Sequence, residues 1–327
     1  MPMTRNMRAK GTILAIAACL AAVLLPSTGP VRAVPVAGTT CEVFPSDNVW
    51  HLDISKLPVN PKSAMWKKAM RAGTTDLHPD FGPPAYGIPF DVVGPSHPKV
   101  RVRFLYASES DHAPYPFGPG IHVEGGSDRH AIMLDKGACT LYELFGARWN
   151  GGKPIAGSGA IFHLSGPNAN ELRPAGWTSA DAAGLPIFAG LLRYDEVAAG
   201  HVDHALRMTV DCTYDAFIWP ARHRAGTSDH RCPPMGARFR LKAGFSVARF
   251  GARAQVVLRA MKRYGLIVAD NGSDWYFQGA VDKRWTYAFV DQLKRIPASA
   301  FVAVDESACR VSPASARFAY GPGCPAP

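Results

Sequence analysis

The chain has 327 residues, 47% of them hydrophobic and 19% charged, with a formal net charge of +10 at pH 7. That is ample apolar sequence for a large core, and far from the highly charged composition of a disordered chain. The cations form no stripe interleaved with aromatics, so nucleic acid is not an expected partner.

The first residues look like an export signal. Arg5, Arg8 and Lys10 precede an apolar run, Gly11–Leu25, that is short for a membrane span, and Val31, Arg32 and Ala33 form a small-residue cleavage pattern. Residues 1–33 are therefore expected to be a secretory signal peptide, giving a secreted, extracellular or periplasmic protein with no stable membrane insertion. Ile16–Cys19 resembles a lipoprotein acylation box, but the apolar run continues past it through Leu25. Four of the 36 Lys and Arg and none of the 26 acids lie in this leader, so the remainder carries +6.

Six cysteines remain beyond the leader: Cys41, Cys139, Cys212, Cys232, Cys309 and Cys324. An even number in an exported chain implies disulfides, with fifteen pairings open. Local pairing favours Cys212–Cys232 and Cys309–Cys324, which leaves Cys41–Cys139. Residues 34–304 read as a single β-rich domain, followed by a disulfide-stapled tail over 305–327.

In chain order, alternation over Asn48–Ile54 predicts an edge strand. Asn60 and Pro61 open a helix that stops before Gly73. Residues 77–98 are irregular and rich in Pro and Gly. Val100–Tyr106 alternates as a half-buried strand, and residues 107–126 are again irregular. His130–Asp135 and Thr140–Phe145 pair across the turn at Lys136 and Gly137. On the second strand Glu143 shares a face with Leu141 and Phe145, where a carboxyl is either exposed at the rim or has the raised pKa that a general acid requires. Gly151–Gly159 reads as a flexible loop and Ala160–Leu164 as a short strand.

Gly176–Val210 concentrates Trp177, Asp181, Arg193, Asp195, Glu196, His201, Asp203 and His204 in a run rich in Gly and Ala. Isolated acids and histidines among apolar neighbours are costly unless paired or used. As a strand, His201–Val210 places His204, Leu206, Met208 and Val210 on one face, and Arg207 and Thr209 on the other. Asp181 reads equally as a cap-type carboxylate, and His204 as a buried core histidine. Ala216–Trp219 is a strand that leads to His223, and Gly236–Lys242 alternates Ala237, Phe239 and Leu241 against Arg238, Arg240 and Lys242. Ala252–Tyr264 is the clearest helix, with Val257, Met261 and Tyr264 as its stripe and Gly265 as its stop. Leu266–Asp270 and Trp275–Gln278 flank Asn271 and Gly272, the signal of a β-hairpin. A short helix over Thr286–Ile296 and a strand over Phe301–Val304 follow. The expected fold is mainly β, a β-sandwich with a β-barrel as alternative, carrying two or three peripheral helices.

Familiar catalytic motifs are missing: there is no P-loop, GxSxG or HExxH. His201 and His204 point to opposite faces of a strand and chelate poorly without His223 or His230. No cofactor is expected, apart from a structural calcium that Asp270, Asn271 and Asp274 could hold. Scattered tryptophans and acids in apolar contexts suit carbohydrate chemistry, because sugars stack on rings and glycoside cleavage needs one protonated and one ionised carboxyl. The expected function is a glycoside hydrolase acting on an extracellular polysaccharide. Glu143, Asp181, Glu196, His204 and Asp270 are the candidate catalytic residues. His130, Trp177, Arg193, Trp219, His223 and Trp275 are the candidate substrate contacts. A polysaccharide lyase with a histidine base, or a non-catalytic polysaccharide- or cell-wall-binding protein, are the alternatives.

Residues 176–210, 219–223 (WPARH), 233–243 (PPMGARFRLKA) and 259–276 (RAMKRYGLIVADNGSDWY) together resemble a family of secreted, largely uncharacterised bacterial and fungal proteins. The resemblance covers most of Trp50–Val304. It implies a common fold and an exported location, and no reaction is carried over with it.

Overall fold

The computed structural model describes residues 1–2 and 34–327, so the expected signal peptide and Cys19 lie outside the described residues. Residues 34–327 belong to one compact unit. Its elements run α1 (Ser63–Ala69), β1 (His78–Asp80), β2 (Asp91–Val93), β3 (Arg103–Phe104), β4 (Ala131–Asp135), β5 (Thr140–Phe145), β6 (Arg148–Asn150), β7 (Lys153–Ala156) and β8 (Ser158–His163). Then come α2 (Ile187–Gly190), α3 (Tyr194–Ala199), β9 (Leu206–Val210), β10 (Tyr214–Phe217), β11 (Pro234–Met235), β12 (Arg238–Leu241), α4 (Ala252–Arg263), β13 (Leu266–Asn271), β14 (Tyr276–Gln278), α5 (Tyr287–Leu293) and β15 (Phe301–Val304). The fold is mainly β and sandwich-like, and among the described residues there is no closed barrel and there are five helices rather than two or three.

A six-stranded sheet has the order β1-β14-β9-β13-β12-β15, and a four-stranded sheet the order β2-β4-β5-β8. Smaller sheets are β3-β7-β6 and β10-β11. One face of the four-stranded sheet (Ile132, Leu134, Leu141, Ala160) joins the main core. Its other face (Ala131, Met133, Tyr142, Leu144) packs with Phe104, Tyr115 and Phe117 in a second, smaller core.

The register of the six-stranded sheet separates two kinds of side chain. Leu206, Leu266, Phe239 and Ala303 pair across neighbouring strands and share the apolar face. Arg207, Ile267, Arg238 and Val304 pair likewise on the other face. That second face is not wet. Arg238 is 1% exposed and donates to the carbonyls of Tyr264, Val49 and Leu52, and Arg240 donates to those of Ile54, Ser55 and Leu57. Buried main-chain carbonyls must find donors, and here arginines supply them. This explains why Asn48–Ile54 is no edge strand: it makes one 3-10 turn at Val49–His51 and then runs over the arginine face.

Other expectations are corrected by the same chain. α1 starts at Ser63 because Asn60 caps a turn, its Oδ1 accepting the Lys62 N–H. Residues 151–159 are no simple loop: β6 and β7 form a hairpin around Gly151 and Gly152, both at positive φ. β13 and β14 form no hairpin with each other, since β9 lies between them, parallel to β13 and antiparallel to β14. α4 buries Val257, Met261 and Tyr264 as its stripe requires. Gly265, at φ +74°, ends it where a Cβ would come within 2.4 Å of the Phe239 carbonyl.

All three favoured disulfides form, with Cα–Cα separations of 5.4 Å for Cys41–Cys139, 5.6 Å for Cys212–Cys232 and 4.9 Å for Cys309–Cys324. The segment after Val304 is stapled, yet it is also part of the body: Phe318 and Cys324 are buried, and the Phe318 N–H reaches the Asp47 carbonyl. No helix among the described residues is long and apolar enough to cross a membrane.

Candidate functional site

The expected catalytic residues fall into two separate groups. The first surrounds Arg207. Asp181 is buried, its Oδ2 accepting Arg207 Nε at 3.0 Å and its Oδ1 accepting the Ala183 N–H at 3.1 Å. Asp270 Oδ2 lies 3.6 Å from Arg207 Nη2, with its side chain 27% exposed. Glu143 reaches toward the same region from β5, but both of its oxygens accept main-chain N–H groups, from Ile187 and Phe188, each at 2.8 Å. Burial pushes Glu143 up to about 7, against those two bonds. Burial likewise raises Asp181 to about 7 against the pull of Arg207, and it raises Asp270. His130, 4% exposed, holds Glu124 through Nδ1 while its Nε2 has no partner. Burial opposes its charged form, but Glu124 prevails and raises its pKa.

The second group ties α3 to the start of β9. Arg193 and Glu196 form an ion pair, and Glu196 Oε2 lies 3.2 Å from His204 Nε2. The other ring nitrogen of His204 contacts the Ala205 carbonyl at 2.7 Å. Burial works against a charged Glu196, but Arg193 and His204 hold it down at about 2. His204 precedes β9 rather than lying in it, so it does not open onto the sheet face. Glu143, Asp181 and Glu196 thus each satisfy neighbouring N–H groups or cations, at 0%, 1% and 7% exposure, and of the three Glu196 lines a cleft, of about 340 Å³, together with Arg193.

The expected substrate contacts are dispersed. Trp275 is 0% exposed between Phe239 and Phe301, with Nε1 on the Met70 carbonyl, so it offers no face to a sugar. Trp177 is half-buried under the Arg173 guanidinium. His223 Nδ1 contacts the Ala182 carbonyl at 2.8 Å, and its Nε2 lies 3.7 Å from Glu109.

Trp219 lines the larger of two clefts that hold expected contacts, about 750 Å³ against about 340 Å³ for the one lined by Arg193. That volume suits a ligand site, typically about 300–1,000 Å³. Trp66 of α1, Phe217 of β10, Ile218 and Trp219 supply apolar walls, Lys62, Arg222 and Arg310 supply cations, and His230 an imidazole. Cys232, bonded to Cys212, also lines it, so this disulfide pins the loop that carries Trp219 and Arg222. Glu306, 4% exposed, contributes a carboxyl from the end of β15. Its Oε2 accepts Arg238 Nη1 at 2.7 Å, and its Oε1 has no partner. Burial raises its pKa against the pull of Arg238, and the neighbouring Asp305 adds to the rise. Asp305 lines the same cleft.

Sequence reasoning missed Glu306, Asp305 and Arg222. Glu306 falls within the stretch read as tail, and Arg222 stands in WPARH beside the more conspicuous Trp219 and His223. The available signal was an acid pair directly after an apolar strand.

Two of the three residues that could hold a calcium near Asp270 are engaged in other bonds. Asn271 Oδ1 accepts the Thr213 hydroxyl, and Asp274 accepts the Asp211 N–H and Arg71 Nε. Among the described residues, no group of three or more His, Cys, Asp or Glu is arranged to hold a metal. Comparison of the chain with protein-family models, with curated proteins and with solved structures finds no match.

Proposed function

We propose that the protein is an exported glycoside hydrolase that seats an extracellular polysaccharide in the Trp219 cleft, with Glu306 as proton donor and Asp305 as the second carboxylate. The observation that carries this reading is Glu306 Oε1, a buried carboxyl oxygen without a protein partner, on a residue lining an aromatic-walled cleft. Burial favours the protonated form, from which the proton passes to the glycosidic oxygen as the C–O bond breaks. The Asp305 carboxylate stabilises the developing cation, and water adds to the anomeric carbon, giving up a proton that restores Glu306. The aromatic walls supply apolar faces for the sugar rings. Three disulfides and a leader-like N-terminus support export.

One observation favours glycan binding without cleavage: the Arg238 contact stabilises an ionised Glu306. A histidine-base lyase has less support, because both His204 nitrogens are engaged and His130 is enclosed. Incubation with a panel of polysaccharides separates the readings. New reducing ends without the ultraviolet absorbance of unsaturated uronates support hydrolysis, and the same ends with that absorbance indicate elimination. Retention on a glycan column with no product over the whole panel favours binding.

A further inference from the structure

Among the described residues five arginines are buried: Arg173, Arg193, Arg207, Arg222 and Arg238. Four of them have a carboxylate partner, in Asp111, Glu196, Asp181 and Glu306 respectively. Arg222 is the exception. It is 9% exposed, and its bonds go to neutral acceptors, Nε to the Arg173 carbonyl and Nη1 to the Pro313 carbonyl. Burial lowers its pKa with no acid to offset it. A buried cation without a counter-charge is costly, so its retention needs a reason. The two carbonyls account for two of its five N–H groups and leave three unassigned.

Arg222 lines the cleft, and so do the exposed cations Lys62 and Arg310, neither of which has an ion-pair partner among the described residues. Arg238 is engaged by Glu306, and Asp305 lines the cleft together with the three cations Lys62, Arg222 and Arg310.

We propose that the missing counter-ion of Arg222 is a carboxylate of the ligand, so that the cleft takes a uronate-bearing glycan. This deepens the glycan reading and rests on it. A guanidinium whose free N–H groups lie in one plane suits a planar carboxylate and discriminates it from a hydroxymethyl group.

The test is calorimetric titration of the full protein with short oligomers of galacturonate, of mannuronate and guluronate, and of glucuronate-substituted xylose. Each is compared with its carboxyl-reduced counterpart. At least one acidic oligomer is expected to bind tenfold or more tightly than its reduced form, with affinity falling as salt rises. In Arg222→Gln that preference disappears, and Arg222→Lys keeps part of it. Because Arg222 also holds two carbonyls, Lys62→Gln and Arg310→Gln serve as second variants on exposed side chains, each expected to reduce the preference and its salt dependence. Equal binding of acidic and reduced oligomers overturns the uronate proposal and leaves the glycan reading standing. Binding of no oligomer of either kind overturns both.

Discussion

The Glu143 carboxylate accepts the Phe188 N–H at 2.8 Å, a bond that joins β5 of the four-stranded sheet to α2. Glu143 is raised from 4.5 to about 7, so the folded state binds its proton more tightly than the unfolded chain does. Its contribution to stability is therefore full below about pH 4.5 and is lost as pH rises toward 7, at up to about 1.4 kcal/mol per pH unit. Asp181, raised to about 7, acts in the same direction. Glu143→Gln leaves one of the two N–H groups without an acceptor, costing about 1–3 kcal/mol. It should also flatten the slope. Urea unfolding at pH 5, 6 and 7 reads both effects, and an unchanged slope in the variant would place the titration elsewhere.

The last residue of α2, Gly190, approaches Arg207 of β9 closely. A Cβ there would come within 2.7 Å of Arg207 Cβ and 2.8 Å of the Arg207 backbone nitrogen. Neither atom belongs to the flexible end of a side chain. Gly190→Ala is expected to destabilise the fold by about 1–3 kcal/mol through overpacking. It should also disturb the Asp181–Arg207 contact, which the pH dependence above would register.

What was legible in the sequence was local. The helix over Ala252–Arg263, the β4-β5 pair and the disulfides follow from spacing and turn residues. The alternation at Arg238 and Arg240 was also visible, but it implied a wet face. Only the main chain laid over that face, with carbonyls needing donors, makes it dry. The Asn271–Gly272 signal was present too, yet β9 inserts between its two flanking strands, a non-local pairing that turn chemistry cannot report. For the candidate site the same limit applied. Acids in apolar sequence marked buried groups correctly, but Glu143, Asp181 and Glu196 turned out to have partners on other elements. Glu306 is distinguished by an oxygen that lacks one.

Glu196 runs against Glu143 in pH. It is held at about 2, below its ordinary 4.5, so its stabilisation is present above about pH 4.5 and is lost as pH falls through 2. Glu196→Gln leaves Arg193 as a buried cation without its partner, a change that costs about 3–5 kcal/mol at neutral pH. The difference between variant and parent should shrink as both are taken toward pH 2. Thermal unfolding followed from pH 7 to pH 2 checks this, and a constant difference would mean that the cost is packing rather than charge.

Glu306 and Trp219 should separate chemistry from binding. Glu306→Gln keeps shape and polarity but supplies no transferable proton, so cleavage is expected to fall by about 10²-fold or more while glycan affinity changes little. Trp219→Ala removes apolar wall, and with it affinity, by about 2 kcal/mol or more, as truncating a hot-spot aromatic does. Arg238 complicates the first variant, because in Glu306→Gln its guanidinium loses a charged partner at 2.7 Å and stability must be measured beside activity. Asp305→Asn leaves that ion pair intact and gives an independent test of the carboxylate pair. If both acid variants stay folded and cleave at the parental rate, the cleft's carboxyls are not the catalytic pair. Loss of cleavage in both with affinity retained fits an acid and its partner acting together.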